Sequence, residues 1–423
     1  MTICVVGSSS SSEHGVEQMQ MSSCARPGAV AALALLLAAA TGCTGQPPPA
    51  PAPSAPPAAP SSAAPGAGGQ ETDVPRPFTL LASGDVLPHS SVIDRAAADS
   101  GGRGYDFAPM LKGVRPVVSR ADLAICHMET VYGKDGGPYT GYPTFTSPPE
   151  VATALAATGY DSCSTASNHT LDDGADGIAR TLGALDAAGI RHAGSARSAA
   201  EAARPTILSA GPGKRAAKVA HLAYTYGTNA IPLPAGKPWA VNLIDEQKIV
   251  AEARAARRAG ADVVVLSAHW GTEWQDAPDA RQLELADRLT ASQDGGRPDI
   301  DLIIGTHAHV PQAYEKVNGT WVVYGMGDQI AGAMINYQGV QDPRGNQGTL
   351  GRFTFAPPVR PGERWTVTKA EFVPQWYDTT TGRAVDLNAS IKAGADHHRP
   401  VRDRIRDVTL GRGAEKDGLV MGE

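Results

Sequence analysis

From Phe78 onward, short continuous apolar runs alternate with Ala-rich stretches of helical length, and this alternation restricts the chain to a layered α/β architecture. The apolar runs predict strands over Phe78–Gly84, Asp122–Met128, Tyr160–Ala166, Lys218–Tyr226, Asp262–Ala268 and Ile300–Gly305. Runs such as VVVLSA carry no polar alternation, as expected of strands covered on both faces. Helices are predicted over Phe107–Val118, Pro149–Thr158, Ala175–Ala188, Glu246–Ala259 and Ala280–Ser292. Toward the carboxyl end the helical pattern stops. Ala313–Tyr324 reads as a hairpin turning at Asn318-Gly319, and Thr349–Phe355 and Arg364–Val373 read as further, antiparallel strands. The folded domain is expected over 78–386, followed by a polar, partly disordered tail over 387–423.

Ligands of open α/β sheets bind beyond the carboxyl ends of the strands. Five of the predicted strands end in residues that ligate metals. Asp85 follows FTLLASG, Glu129 follows DLAICHM, and Asn168 and His169 follow YDSCSTAS. His269 follows DVVVLSA, and His307 and His309 follow DIDLIIGT. Singly, each has a plainer use: Asp85 or Glu129 capping a loop, Asn168 opening a helix, His269 packing beside Trp270. His307 and His309 are sharper, because alternate residues of a strand face one side. Together the carboxylate, amide and imidazole donors suit Mn, Fe or Zn better than Ca or Mg. They are numerous enough for two divalent metal ions sharing a bridging group. Such pairs, about 3.5–4 Å apart, generate hydroxide and stabilise a developing oxyanion.

Composition narrows the function classes. Hydrophobic residues make up 42 % of the 423, enough for a large core. The net charge of -6 and the lack of interleaved basic and aromatic residues argue against a nucleic-acid partner. No apolar run reaches the roughly 18 residues of a spanning helix. Ala29–Ala40 instead fits the core of an export signal. Ala40-Thr41-Gly42-Cys43 follows, and resembles a bacterial lipobox in which Cys43 becomes the lipidated first residue. Residues 1–43 are therefore expected to be a signal peptide. Residues 44–77 are expected to be a linker, with nine prolines between Pro47 and Pro65. A lipid anchor would hold the domain outside the cytoplasm, at the membrane. Two buried free thiols are the plainer expectation for Cys126 and Cys163, with a disulfide left open.

The segments SGD at Asp85, HMET at Glu129, SNHTLDDGADGI, AHWGTEW, and GTHAHVPQ followed by VVYGMGD resemble the CapA family. These are poly-gamma-glutamate capsule biosynthesis proteins, a branch of the calcineurin-like metallophosphoesterase superfamily. The resemblance runs from about Phe78 to Ile330. It implies a four-layer α/β/β/α sandwich of the metallophosphoesterase type. It also implies that Asp85 and His309 bind a first metal and His269 and His307 a second, that Asn168 supplies an amide ligand, and that Glu129 binds or bridges the metals. His169 would face the substrate and donate a proton, and His89 is open as an extra ligand. The sequence departs from the family pattern at His127, Ser167 and Asp328, each standing where an asparagine is usual.

The function that the resemblance implies is metal-dependent hydrolysis in the synthesis, export or processing of poly-gamma-glutamate, with a membrane capsule-synthesis complex as the expected partner. A phosphoesterase acting on nucleotides or phosphosugars, and a non-catalytic scaffold of such a complex, stay open as alternatives.

Overall fold

The chain builds part of one sheet, then a second sheet, and then returns to complete the first. The computed structural model describes residues 76–423, apart from 212, 214, 215, 361 and 362. The expected signal segment, and nearly all of the expected linker, lie outside the described residues.

The first pass lays down β1 (Phe78–Leu87), β2 (Leu123–Met128), β3 (Ser162–Ser164) and β4 (Arg191–Ala193), all parallel. The second sheet follows as β5 (Thr206–Ala210), β6 (Ala217–Thr225) and β7 (Val263–His269). After a small ribbon of β8 (Gln293–Asp294) and β9 (Arg297–Pro298) come β10 (Leu302–Thr306), β11 (Tyr314–Val317) and β12 (Thr320–Val323). Its order is β11-β12-β10-β7-β6-β5. The chain then re-enters the first sheet with β13 (Asp328–Ala331), β14 (Gln347–Ala356), β15 (Thr366–Asp378), β16 (Arg383–Asp386) and β17 (Leu419–Met421). That sheet has the order β16-β15-β14-β1-β2-β3-β4, with β13 also on β1 and β17 on β15.

Each central strand sends alternate side chains to opposite faces, and both faces are apolar. Leu80 and Ala82 of β1 meet Val263 and Val265 of β7 in a core between the sheets. Leu81 points the other way, into helices that cover the first sheet. These are α1 (Ser90–Asp99), α2 (Ala108–Leu111), α3 (Arg115–Val118), α4 (Glu150–Thr158) and α5 (Gly174–Ala187). Beyond the single turn α6 (Ala199–Ala202), α7 (Glu246–Arg258) and α8 (Ala280–Ala291) cover the second sheet, packing Ile249, Ala253, Leu285 and Leu289 on Val264, Leu266 and Ile303. The four layers are thus helix, sheet, sheet, helix, as the sequence implies.

Several expectations need correction. The helix expected over Phe107–Val118 is two short helices, α2 and α3, split at Gly113, where a Cβ would stand 2.3 Å from the carbonyl oxygen of Ala384. The segment after Asp386 is ordered. Asp386 caps α9 (Leu387–Lys392), α10 (Arg399–Thr409) buries Ile405, and β17 pairs with β15. Cys126 and Cys163 are bonded to each other. They face each other in the β2–β3 register with Cα atoms 4.5 Å apart, so the free-thiol expectation fails. The hairpin turns at Asn318-Gly319, with φ of 49° and 78°, the left-handed pair that a two-residue turn requires.

Candidate metal centre

The site begins with a glycine contact. A Cβ on Gly84 would lie 1.7 Å from the carbonyl oxygen of Gly327, so only glycine lets β1 approach the GMG turn this closely. The next residue, Asp85, donates its N–H to that same oxygen at 3.0 Å. The register of β1 is irregular on both sides here, and Asp85 pairs with His127 of β2 and with Asp328 of β13. Three chemistry-bearing residues therefore meet at one level of the sheet. Glu129 follows β2, Asn168 and His169 follow β3, and His269 ends β7 of the facing sheet.

His307 and His309 reach the site by a different route from the one expected. The strand β10 ends at Thr306, and both histidines sit in the following turn with φ of 92° and 57°. Neither is on a strand face. The left-handed backbone, costly for residues other than glycine, brings both rings to one place. The N–H of His307 also donates to Asp85 Oδ2 at 3.1 Å.

The structure brings Asp85, Glu129, Asn168, His269, His307 and His309 together, with His127 and Asp328 added. Asn168 Oδ1 lies 2.7 Å from His269 Nε2. Glu129 Oε1 lies 3.8 Å from His269 Nε2 and 3.9 Å from His309 Nε2. Asp328 Oδ1 lies 3.0 Å from His309 Nδ1. Three sets have their donor atoms within 4.8 Å of one another: Asp85, His127 and His269; Glu129, His307 and His309; and Asp85, His309 and Asp328. All are buried.

Burial and crowding distort the titration of these groups. Burial, then the neighbouring Asp328, pushes the Asp85 carboxyl up to about 8. Burial and Asp85 carry Glu129 well above the carboxylate range. Burial raises Asp328 to about 6, with His309 pulling it down. The imidazoles of His269 and His307 are held well below their usual value by burial and by neighbouring imidazoles, and His127 falls to about 3. Burial opposes charge on His309, but Asp328, Glu129 and Asp85 outweigh it and raise that ring. At neutral pH His127 is uncharged, so its 3.6 Å approach to Asp85 Oδ1 is no ion pair.

Six buried atoms of this cluster have no hydrogen-bond partner among the described residues: Asp85 Oδ1, His127 Nε2, both oxygens of Glu129, His307 Nδ1 and Asp328 Oδ2. Native proteins rarely leave such atoms unpaired. Buried oxygen and imidazole atoms that converge on one place without hydrogen-bond partners are the donor set of a divalent cation site, and these residues fit one.

His169 stands outside the three sets. Its Nδ1 is 2.7 Å from Asp172 Oδ2, which also accepts the N–H of Phe145 at 2.7 Å. Phe145 packs against the ring at 4.8 Å between centroids. Ser167 donates to the main-chain oxygen of Glu129 and accepts from the N–H of His169, tying the two loops together. His89 joins none of the sets; its ring packs on Phe145 at 5.1 Å, and burial with His309 and His169 lowers it to about 4.

The sequence marks His127 and Asp328 only as departures from the family pattern, and it does not single out Asp172 or Glu273. Glu273 Oε1 lies 3.9 Å from His307 Nε2. Tyr226 lies over His307 at 4.4 Å and Trp274 near His309 at 6.1 Å. The available signal for His127 was its place two residues before Glu129, on a strand already assigned to the site.

Comparison with known proteins agrees with this picture. A probable polyglutamine synthesis accessory protein of Mycobacterium tuberculosis is 28 % identical over 229 residues, 52 % of this chain and 57 % of that protein. The capsule biosynthesis protein CapA of Bacillus anthracis is 26 % identical over 276 residues, 62 % of this chain and 57 % of that one. The PGA biosynthesis protein CapA of Bacillus subtilis is 29 % identical over 165 residues, 39 % and 41 % respectively. The chain thus spans about half the length of the curated relatives it matches. Residues 79–333, which include every residue of the cluster, match the family described as bacterial capsule synthesis protein PGA_cap, and the chain belongs to that family.

Proposed function

We propose that the protein is an exported, CapA-like hydrolase of capsule biosynthesis that depends on two divalent cations. One observation carries this reading: the six unpaired buried atoms among Asp85, His127, Glu129, His307 and Asp328. Asp85, Glu129, Asn168, His269, His307 and His309 would hold the ions, which the donor set suits to Mn, Fe or Zn. When bound, the cations supply a water of lowered pKa and offset negative charge on a reacting carbonyl or phosphoryl oxygen.

The chain's own residues do the rest. Asp172 accepts a hydrogen bond from Nδ1–H of His169 and so orients the ring, and the imidazolium, once protonated at Nε2 as well, gives that Nε2 proton to the leaving group and returns to the neutral Nδ1–H form. Burial of the cluster keeps bulk water from competing with the substrate's polar groups. Asp85 stays oriented through the N–H of His307. The substrate we favour is poly-gamma-glutamate or another anionic polymer, supported by what the relatives are called. The partner we favour is a membrane capsule-synthesis complex, reached through lipidated Cys43 and the proline-rich linker. For those last points the support is the sequence alone.

Elemental analysis of the purified protein, paired with hydrolysis of poly-gamma-glutamate and of model phosphodiesters, tests the reading. Bound divalent metal with release of glutamate oligomers is the expected result. Phosphate release alone would make it a phosphoesterase. Absence of metal, with no cellular effect of His307→Ala, would leave a scaffold.

A further inference from the structure

His127 was not in the expected ligand set, yet it is the most completely prepared donor in the cluster. It is buried at the end of β2, in register with Asp85. Its Nδ1 lies 2.7 Å from the hydroxyl oxygen of Ser164, on the neighbouring strand. That hydroxyl directs its own hydrogen to the carbonyl oxygen of Cys126 at 3.4 Å. With that hydrogen so directed, we assign the Ser164 oxygen as the acceptor and His127 Nδ1–H as the donor. The one proton of the neutral ring is thereby accounted for, and Nε2 presents a bare lone pair.

Nothing among the described residues meets that lone pair. Nε2 has no hydrogen-bond partner among the described residues. The nearest acidic atom is Asp85 Oδ1 at 3.6 Å, which also lacks one. At 3.6 Å the two atoms are too far apart to share a proton in a hydrogen bond, and a cation between them would satisfy both. The ring of His269 stacks on His127 at 4.7 Å, so a third donor stands at the same spot. The side chains of Asp85, His127 and His269 offer atoms within 4.8 Å of one another. A ligating histidine characteristically donates its second ring N–H to an outer partner that fixes its orientation, and Ser164 is placed to do so.

From this geometry we infer that His127 is a metal ligand, forming with Asp85 and His269 an imidazole-rich subsite that favours zinc, cobalt or iron over magnesium. The inference rests on the proposal that the centre binds metal. It goes beyond that proposal by changing the ligand set and by predicting unlike subsites. Asp85, Asp328 and His309 form an oxygen-rich counterpart. Two imidazoles against one in otherwise similar sets make the His127 subsite the softer of the two.

The test is zinc binding by equilibrium dialysis, with elemental analysis of the full protein, in wild type, His127→Ala, His127→Asn and Ser164→Ala. Cobalt(II) substitution adds a visible absorption spectrum that reports ligand identity. Loss of an outer partner typically costs roughly 10–100-fold in affinity, so Ser164→Ala should weaken one zinc by about that much. His127→Ala and His127→Asn should weaken the same zinc by more, leave the other bound, and change the cobalt spectrum. Far-ultraviolet circular dichroism of the metal-free variants separates lost binding from lost folding, and His127→Asn keeps a polar side chain if alanine proves too disruptive. If wild type binds two zinc ions and both His127 variants bind both as tightly, or lose no more than Ser164→Ala, the inference is overturned and the proposed function stands. If wild type binds no metal at all, the proposed function itself fails.

Discussion

Replacing Gly84 by alanine should damage the protein far more than the addition of one methyl group suggests. The added Cβ would sit 1.7 Å from the oxygen and 2.8 Å from the carbon of the Gly327 carbonyl. Close carbon–oxygen approaches in proteins lie near 3.3 Å, so the overlap is on the order of 1.5 Å. The obstructing atoms are backbone, and no side chain can swing aside. The strand β1 must move off the turn before β13, which also breaks the 3.0 Å hydrogen bond from Asp85 N–H to Gly327. Overpacking costs about 1–3 kcal/mol and a lost hydrogen bond about 0.5–1.5 kcal/mol, so the sum is roughly 2–4 kcal/mol. At about 2.1 cal/mol/K of unfolding entropy per residue, a domain of this size should melt roughly 3–5 °C lower. Because Asp85 moves with the strand, zinc affinity should drop in the same variant. Gly183 provides the control: it lies inside α5, and a Cβ there meets nothing within 4 Å. Gly183→Ala should stabilise by about 0.5–1 kcal/mol through helix propensity. Thermal melts followed by circular dichroism, with and without zinc, read both. A Gly84→Ala protein that melts within a degree of wild type and binds zinc equally well would refute the packing argument.

Other predictions follow from the charges, the dyad and the disulfide. The Asp85 carboxyl rises from 3.8 to about 8, so between those values the folded protein keeps a proton the unfolded chain has lost, and its stability contribution declines as pH rises. His127, lowered from 6.5 to about 3, acts in the opposite sense, but only below about pH 6.5. The melting temperature of EDTA-treated protein should therefore fall from pH 6.5 to pH 8, whereas added zinc should flatten that slope; a rising slope without metal would contradict the assignment. His169→Ala should keep its metal content and lose roughly 10²–10⁴-fold in turnover, as expected for a general acid. Asp172→Asn should also keep the metal and alter the pH profile of turnover, and metal loss in either variant would move that residue into the ligand set. Replacing Cys126 and Cys163 together by alanine removes a link across a sequence separation of 37 and should cost about 4 kcal/mol in the chain-entropy treatment, measured by denaturant titration.

The sequence announces its strands because both faces of each are buried, so runs such as VVVLSA stand out against amphipathic helices. It is quieter where burial is partial. The helix α10 reads RPVRDRIRDVT and buries only Ile405 and Thr409, so it was taken for tail. Its position depends on contacts with distant chain, among them Arg404 with Gln347 and Asp276. The predicted donors come from strand ends, a placement that periodicity alone can supply. His127 and Asp328 were harder, because their approach to Asp85 depends on pairing register, which no local pattern encodes. The disulfide was undecidable for the same reason. His307 and His309 were assigned to the site through an argument about strand faces, whereas the structure uses a left-handed turn.

The return of the chain to its first sheet has a consequence for biogenesis. Asp85 and Glu129 are synthesised early, but His307, His309 and Asp328 arrive after some two hundred further residues, when β13 slots in beside β1. A polypeptide that stops short of His307 lacks donors of two of the three sets, those with Glu129 and with Asp328, so a two-cation centre of the proposed kind would be complete only once β13 lies beside β1. If the centre binds metal as proposed, loading of both ions would report that the two sheets have docked.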